Sequence, residues 1–169
     1  LMIDDHSTGE YFTPDRPVWF MTKKLAGGGV SINFGVHTLD RFCYLTGSSV
    51  ASITGSCTYR HQGSDVDGSA HFFLRAQSGV TGSVSISGYP SVPEEYTTLY
   101  LTKGAICIRP FVSVCKTTGG EYELIDFSSF PGMFEAQMAD FITAMDTGSV
   151  LHYTGEEGKR YVEAISSIW

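Results

Sequence analysis

The sequence has no apolar run that could span a bilayer. Its longest, such as Ala105-Ile106-Cys107-Ile108, fall far short of the roughly 20 residues a spanning helix needs. Positive charge is also scarce. Lys and Arg number 11 against 18 Asp and Glu, the net charge is -7, and Lys23-Lys24 and Lys159-Arg160 are the only adjacent basic pairs. With no basic stripe to follow a phosphate backbone, neither nucleic acid nor a membrane is an expected partner. The four cysteines, Cys43, Cys57, Cys107 and Cys115, are too far apart for a CxxC site and each lies in an apolar segment. Reduced, buried thiols and a cytoplasmic location are therefore expected. Leu1-Met2-Ile3 runs at once into Asp4-Asp5-His6, without the basic flank and apolar stretch of a secretory signal. A first residue other than Met leads us to expect a piece of a longer chain.

Several common catalytic signatures are missing too. Gly27 and Gly29 are followed by Ile32 where a dinucleotide loop would have its third glycine, and no GxxxxGK[ST] or GxSxG occurs. Histidines 6, 37, 61, 71 and 152 form no HxxxH and no pairing with cysteine at metal-ligand spacing, so no metal is expected. His71 and His152 are expected at surface or rim positions and His61 in a loop.

What is present reads as one domain of 169 residues, 42% hydrophobic and 17% charged. From Val50 onward apolar and polar residues alternate with period two, as in strands with two unlike faces. Strands are expected at 50–59, 70–75, 80–87, 98–102, 105–109, 112–116 and 122–126, with Ser78-Gly79 as a hairpin turn. A helix is expected from about Phe34 to Leu45, with Val36, Leu39 and Cys43 at helical spacing and Gly47 as its stop. A second spans about Met133 to Asp146, with Phe134, Met138, Phe141 and Met145 on one stripe and Gly148 to end it. A third follows the capping box Thr154 to Glu157. Helices that flank a run of strands imply an α+β fold: a large, open, predominantly antiparallel sheet with helices on one face and the other available for water or a second subunit.

The densest stretch is "AGGGVSINFGVHTLD", residues 26 to 40. Gly27 to Gly29 suggest a turn or a close backbone approach, Val30 to Ile32 a short extended piece, and Asn33 the residue that begins a helix. Asn33 and His37 would then stand about one turn apart near a helix N-terminus, able to grip a hydroxyl-bearing substrate. The alternative is that Asn33 is only an N-cap and His37 an ordinary half-exposed residue. Asp40 could orient the His37 ring or pair with Arg41.

The segment "LAGGGVSINFGVHTLDRFCYLTGSSVASITG" resembles the C-terminal domain of the glucose-fructose oxidoreductase / inositol dehydrogenase / rhizopine-catabolism (Gfo/Idh/MocA) family. The resemblance is carried by Gly27 to Gly29, Asn33, Gly35, His37, Asp40, Tyr44, Leu45 and Gly47. It continues through "YFTPDRPVWF", "DVDGSAHFFLRAQSGVTGSVSISGY", "FEAQMADFITAMDTGS" and "YTGEEGKRYVEAISSIW". It implies the dihydrodipicolinate-reductase-like fold, with residues 1–169 as a single substrate-binding and oligomerisation domain. It also implies a sugar, inositol or related polyol as substrate, and a homodimer or homotetramer through the open sheet face. Family members join this domain to an N-terminal Rossmann domain that binds NAD or NADP and carries a Glu-Lys-Pro motif. Neither is in this sequence, so no cofactor-binding residue is expected here and the chain alone is expected to be inactive. By the same resemblance His37 is the catalytic acid/base, with Asn33 beside it where some members have Asp. Tyr11, Trp19 and Asp40 are candidate substrate-binding residues. Phe20 stands where other members often have Arg. The competing expectation is a non-catalytic binding or dimerisation module that has kept the fold.

Overall fold

The computed structural model describes residues 1–151 and 153–168. His152, expected at a rim, lies outside the described residues. The strands are β1 (Met2–Thr8), β2 (Val50–Thr58), β3 (Ser69–Ala76), β4 (Thr81–Ser87), β5 (Glu94–Leu101), β6 (Gly104–Arg109), β7 (Ser113–Thr117) and β8 (Glu123–Ile125). They form one sheet in the order β2-β3-β4-β1-β5-β6-β7-β8, antiparallel except where β1 runs parallel to β4. The expected strands are all present, and β1 is one more. It is central, between β4 and β5, yet its sequence Met2-Ile3-Asp4-Asp5-His6-Ser7-Thr8 gives little apolar alternation to announce it. What permits a carboxylate in a central strand is a partner from elsewhere: Asp5, 3% exposed, is met by Arg41 and Thr97.

Strand register sorts the two faces. One row across the sheet runs Gly55, Phe72, Val84, Asp5, Thr97, Ile108, Val114, Ile125. The next runs Thr54, Phe73, Ser83, Asp4, Thr98, Cys107, Cys115, Leu124. Phe72, Val84, Asp5 and Thr97 are buried, whereas Phe73 and Leu124 are exposed, so the first row faces the helices and the second is the open face. This is the expected α+β arrangement.

The helices are α1 (Lys23–Ala26), α2 (Val30–Asn33), α3 (Gly35–Thr46), α4 (Met133–Thr147) and α5 (Gly155–Ser166). A short 3-10 turn spans Val18–Met21. α3 buries Gly35, Thr38, Leu39 and Phe42 against the sheet and ends at Gly47, which is left-handed at φ 58°. α5 opens with the expected capping box: Glu157 N–H donates to the Thr154 hydroxyl at 3.4 Å and Thr154 N–H to the Glu157 carboxylate at 2.9 Å. Its Ile165, fully buried, reaches α3 at Gly35, where an added Cβ would lie 3.0 Å from the Ile165 Cδ1 and 3.1 Å from the Phe72 ring. α4 is the expected helix with its stop at Gly148, but none of its residues is buried; Phe134, Met138, Phe141 and Met145 of its apolar stripe all stay exposed. Among the described residues no helix is long and apolar enough to cross a membrane.

Candidate functional site

The glycine run is explained by Asp67. Gly27, left-handed at φ 82°, terminates α1, and Gly29 then passes so close to the chain at Asp67 that a Cβ there would lie 1.9 Å from the Asp67 carbonyl oxygen. The Asp67 carboxylate, buried among the first residues of α2, accepts Gly29 N–H at 2.8 Å, Ser31 N–H at 2.8 Å and the Ser31 hydroxyl at 2.9 Å. Val30 N–H donates to the Asp67 carbonyl at 3.1 Å. Asp67 thus caps α2 from 36 residues downstream of Ser31, satisfying donors that a helix start leaves orphaned.

Two local expectations are corrected by this arrangement. Residues 30–32 are helical, not extended, because the cap supplied by Asp67 starts a helix at Val30. Asn33 is consequently the last residue of α2, its N–H donating to the Gly29 carbonyl at 3.0 Å; it begins no helix. Phe34 occupies the N-cap position of α3, which receives no side-chain cap.

α3 presents His37 on its exposed side and Arg41 one turn later. His37 forms part of the walls of two clefts. The first, about 770 Å³, lies between α3 and the sheet end and includes Thr8, Phe34, Arg41, Glu95, Tyr96 and the β6–β7 turn. The second, about 920 Å³, lies between α3, α4 and α5 and includes Asp40, Tyr44, Asp140, Tyr153, Glu157 and Tyr161.

Arg41 anchors the helix that carries His37. Its Nη1 donates to Asp5 at 3.0 Å and to the Thr97 hydroxyl at 3.0 Å, its Nη2 pairs with Glu95, and Thr97 in turn donates to Asp5 at 2.8 Å. Burial pushes the Asp5 carboxyl above its ordinary range, the Arg41 charge and the Thr97 bond opposing it. The alternative in which Arg41 pairs with Asp40 is not the arrangement found, since the guanidinium is committed to Asp5 and Glu95.

Asp40 instead shares the second cleft with His37. Burial raises its carboxyl, with the His37 ring the largest influence in the other direction. Its buried Oδ1 has no hydrogen-bond partner among the described residues. Burial raises the Tyr161 hydroxyl and pushes Tyr153 up to about 12, so both phenols are neutral donors at physiological pH.

Tyr11 and Trp19 sit apart from these walls. Tyr11 is 1% exposed, with Phe20 and Phe34 edge-on and the Arg16 guanidinium 4.3 Å from its ring centre. Its ring meets Phe34, a wall residue of the first cleft, with ring centres 6.3 Å apart. Trp19 is 48% exposed and lies against Phe20 with ring centres 4.0 Å apart. The structure therefore brings His37 and Asp40 to one cleft, and leaves Asn33, Tyr11 and Trp19 off both walls. Nothing local in the sequence marks Glu95 or Tyr161 as site residues; Arg41 enters it only as a possible partner of Asp40, and Asp67 only as an acid of "DVDGSAHFF". His61 stacks on Phe12 at 4.1 Å and His71 is exposed on β3. Among the described residues no group of three or more His, Cys, Asp or Glu is placed to hold a metal ion.

Comparison with known proteins gives a consistent picture. The profile of the GFO/IDH/MocA C-terminal domain matches residues 5–107. Curated protein sequences return no match. Among solved structures, levoglucosan dehydrogenase in complex with NADH and levoglucosan superposes with a TM-score of 0.86 at 16% identity, over 99% of this chain and 55% of that one. Aldose-aldose oxidoreductase from Caulobacter crescentus, complexed with glycerol, gives 0.85 at 20% identity, over 98% and 51%. UDP-N-acetylglucosamine 3-dehydrogenase from Acidithiobacillus ferrooxidans gives 0.77 at 12% identity, over 99% and 51%. These likenesses establish the fold. The chain spans about half the length of these three solved chains, 51% to 55%.

Proposed function

The chain belongs to the GFO/IDH/MocA family, whose C-terminal domain it matches over residues 5–107, and we propose that it is the substrate-binding half of an NAD(P)-dependent oxidoreductase acting on a sugar, inositol or related polyol. The observation that carries this reading is the position of His37, exposed on α3 and common to two clefts large enough for a monosaccharide.

Oxidising a secondary alcohol requires the hydroxyl proton to leave while hydride departs from the same carbon. Imidazole, with an ordinary pKa of about 6.5, is suited to take that proton near neutral pH. His37 is the acid/base, or the group that orients the reacting oxygen. Asn33, an amide, can donate and accept hydrogen bonds but cannot stabilise an imidazolium by charge. Asp40, raised by burial and beside His37, is the carboxyl available for orienting the ring. Tyr11 supports the first cleft through its edge-on contact with Phe34, and Trp19, exposed but off both walls, would meet a sugar ring only outside these two clefts.

The hydride acceptor is NAD or NADP. This chain's residues do not fit a dinucleotide: its parallel pair, β1 and β4, is linked through α1–α3, β2 and β3, with no glycine-loop crossover. The cofactor is therefore assigned to a separate half of the protein, and the chain alone is inactive. The open face, with Phe73, Tyr100 and Leu124 exposed among hydroxyl side chains, supports self-association as a homodimer or homotetramer in the cytoplasm.

The test joins this domain to its nucleotide-binding half and measures reduction of NAD and NADP on a panel of polyols and aldoses, then repeats it with His37→Ala. A loss of about a hundredfold or more in kcat is expected. Unchanged turnover would remove His37 from the chemistry, and turnover by the isolated chain would overturn the assignment.

A further inference from the structure

Arg41 and Glu95 share the wall of the first cleft with His37. His37 and Arg41 are one turn apart on α3, so their side chains leave the helix on the same side. An arginine carries five N–H donors in a planar fork. Nη1 is used by Asp5 and Thr97, and Nη2 gives one hydrogen to Glu95 Oε1. The second Nη2 hydrogen and Nε–H have no partner among the described residues, and neither has Glu95 Oε2. The two side chains are 24% and 40% exposed, so both are reachable from the cleft. Asp5 and Thr97, buried in the sheet, hold the guanidinium in one place.

We propose that Arg41 and Glu95 are a specificity-determining pair that grips two adjacent hydroxyls of an uncharged polyol or sugar, whose reacting alcohol then lies at His37 in the first cleft. The proposal rests on the reading of this chain as the substrate-binding half of a dehydrogenase. A fixed acceptor beside a fixed donor complements neighbouring hydroxyls: one donates to Glu95 Oε2, and the oxygen of the next accepts from the Arg41 fork. Both bonds are charge-assisted, and a substrate lacking either hydroxyl leaves an ionised group unpaired.

Charge argues against an anionic substrate. Arg41 is already matched by two carboxylates, Asp5 and Glu95, and the other charges of the wall, Glu94 and Arg109, cancel. A phosphate or carboxylate at the fork would have to displace Glu95 and then lie beside it. The second cleft offers no such donor beside its acceptors. Its acidic wall residues are Asp40, Asp140 and Glu157, with no Lys or Arg among the residues described there. Substrate in the first cleft leaves Asp40, in the second, to orient the His37 ring.

The test uses the domain joined to its nucleotide-binding half. The neutral polyol or aldose turned over fastest is compared with its monodeoxy analogues and with its uronate or phosphate ester. Removing one of the two gripped hydroxyls should lower kcat/KM about tenfold to a hundredfold, and the anionic counterpart should fall at least about tenfold behind the parent. Glu95→Ala should raise KM for the parent about tenfold, with a smaller change in kcat, and shrink the penalty at one hydroxyl to about twofold or less. Arg41→Lys, which keeps the charge beside Asp5 but not the fork, should shrink the penalty at its neighbour. Each penalty is a ratio within one variant, so loss of folded enzyme cancels. Penalties unchanged in both variants, a preference for the anion, or the effect appearing with Asp140→Asn in place of Glu95→Ala would each overturn the proposal and leave the dehydrogenase reading standing. No turnover on any polyol or aldose would overturn that reading, and the proposal with it.

Discussion

Asp67 holds Ser31 twice, its Oδ2 accepting the Ser31 N–H at 2.8 Å and its Oδ1 accepting the Ser31 hydroxyl at 2.9 Å. With Gly29 N–H on the same carboxylate, the contact ties the segment before β3 to the first turn of α2 and so sets where α3 and His37 begin. Asp67→Ala leaves buried donors without acceptors, each costing about 1–3 kcal/mol. A loss of roughly 3 kcal/mol or more in unfolding free energy is expected from urea titration. Asp67→Asn keeps one acceptor oxygen and should fall between the two. A Cm equal to that of the unsubstituted chain would show that the cap is not structural.

Gly35 marks where α5 closes on α3 and the sheet. Gly35→Ala adds a methyl 3.0 Å from Ile165 and 3.1 Å from Phe72, so α5 must shift or Phe72 must turn, at a cost of about 1–3 kcal/mol. Ile165→Ala at the same junction removes the crowding but opens a cavity, costing about 2–5 kcal/mol. Because the two share one site, the double variant should be less destabilised than the sum of the singles. Strict additivity in a double-mutant cycle would deny the contact.

How far the sequence reveals this depends on where each stabilising partner lies. β3 and β4 are legible because every second residue is apolar, and α5 because Thr154 and Glu157 cap it locally. β1 is hidden because its Asp5 is neutralised by Arg41 and Thr97, 36 and 92 residues away. Asn33 is hard to place locally for the same reason: the acceptor that starts the helix is Asp67, on a later loop, and a local reading gives the nearest amide that role. His37 stands out through its glycine-rich surroundings. Glu95 and Tyr161 join it only through tertiary packing.

Asp5 and Asp40 impose a sign on the pH dependence. Burial raises both carboxyls above 3.8, so in the window from that value up to each raised folded value the folded chain binds more protons than the unfolded one. Their stabilising contribution is complete below the unfolded value and is lost as pH rises through the folded one. Asp5→Asn and Asp40→Asn should each flatten the fall in unfolding free energy on going upward from about pH 4, measured by denaturant titration across pH. A slope that is unchanged in both variants would mean that neither carboxyl is raised. Because Asp5→Asn also weakens the attachment of Arg41, the slopes, not the absolute stabilities, carry the test.

Residues of one chemical kind should behave oppositely on α3 and α4. Leu39 and Phe42 are buried on α3, whereas Met138 and Phe141 on α4 remain about half exposed, at 58% and 48%. Deleting a buried side chain loses its transfer free energy and leaves a cavity, so Leu39→Ala and Phe42→Ala should each cost about 2–5 kcal/mol. Met138→Ser and Phe141→Ser remove contacts that are mostly with water, and changes within about 0.5 kcal/mol are expected in the isolated chain. Urea titrations of the four variants make the comparison directly. A loss on α4 as large as on α3, at a chain concentration where the protein is monomeric, would show that the α4 stripe packs within the chain. If the same loss grows with concentration, the stripe is instead covered by a second copy, because only association makes stability depend on concentration.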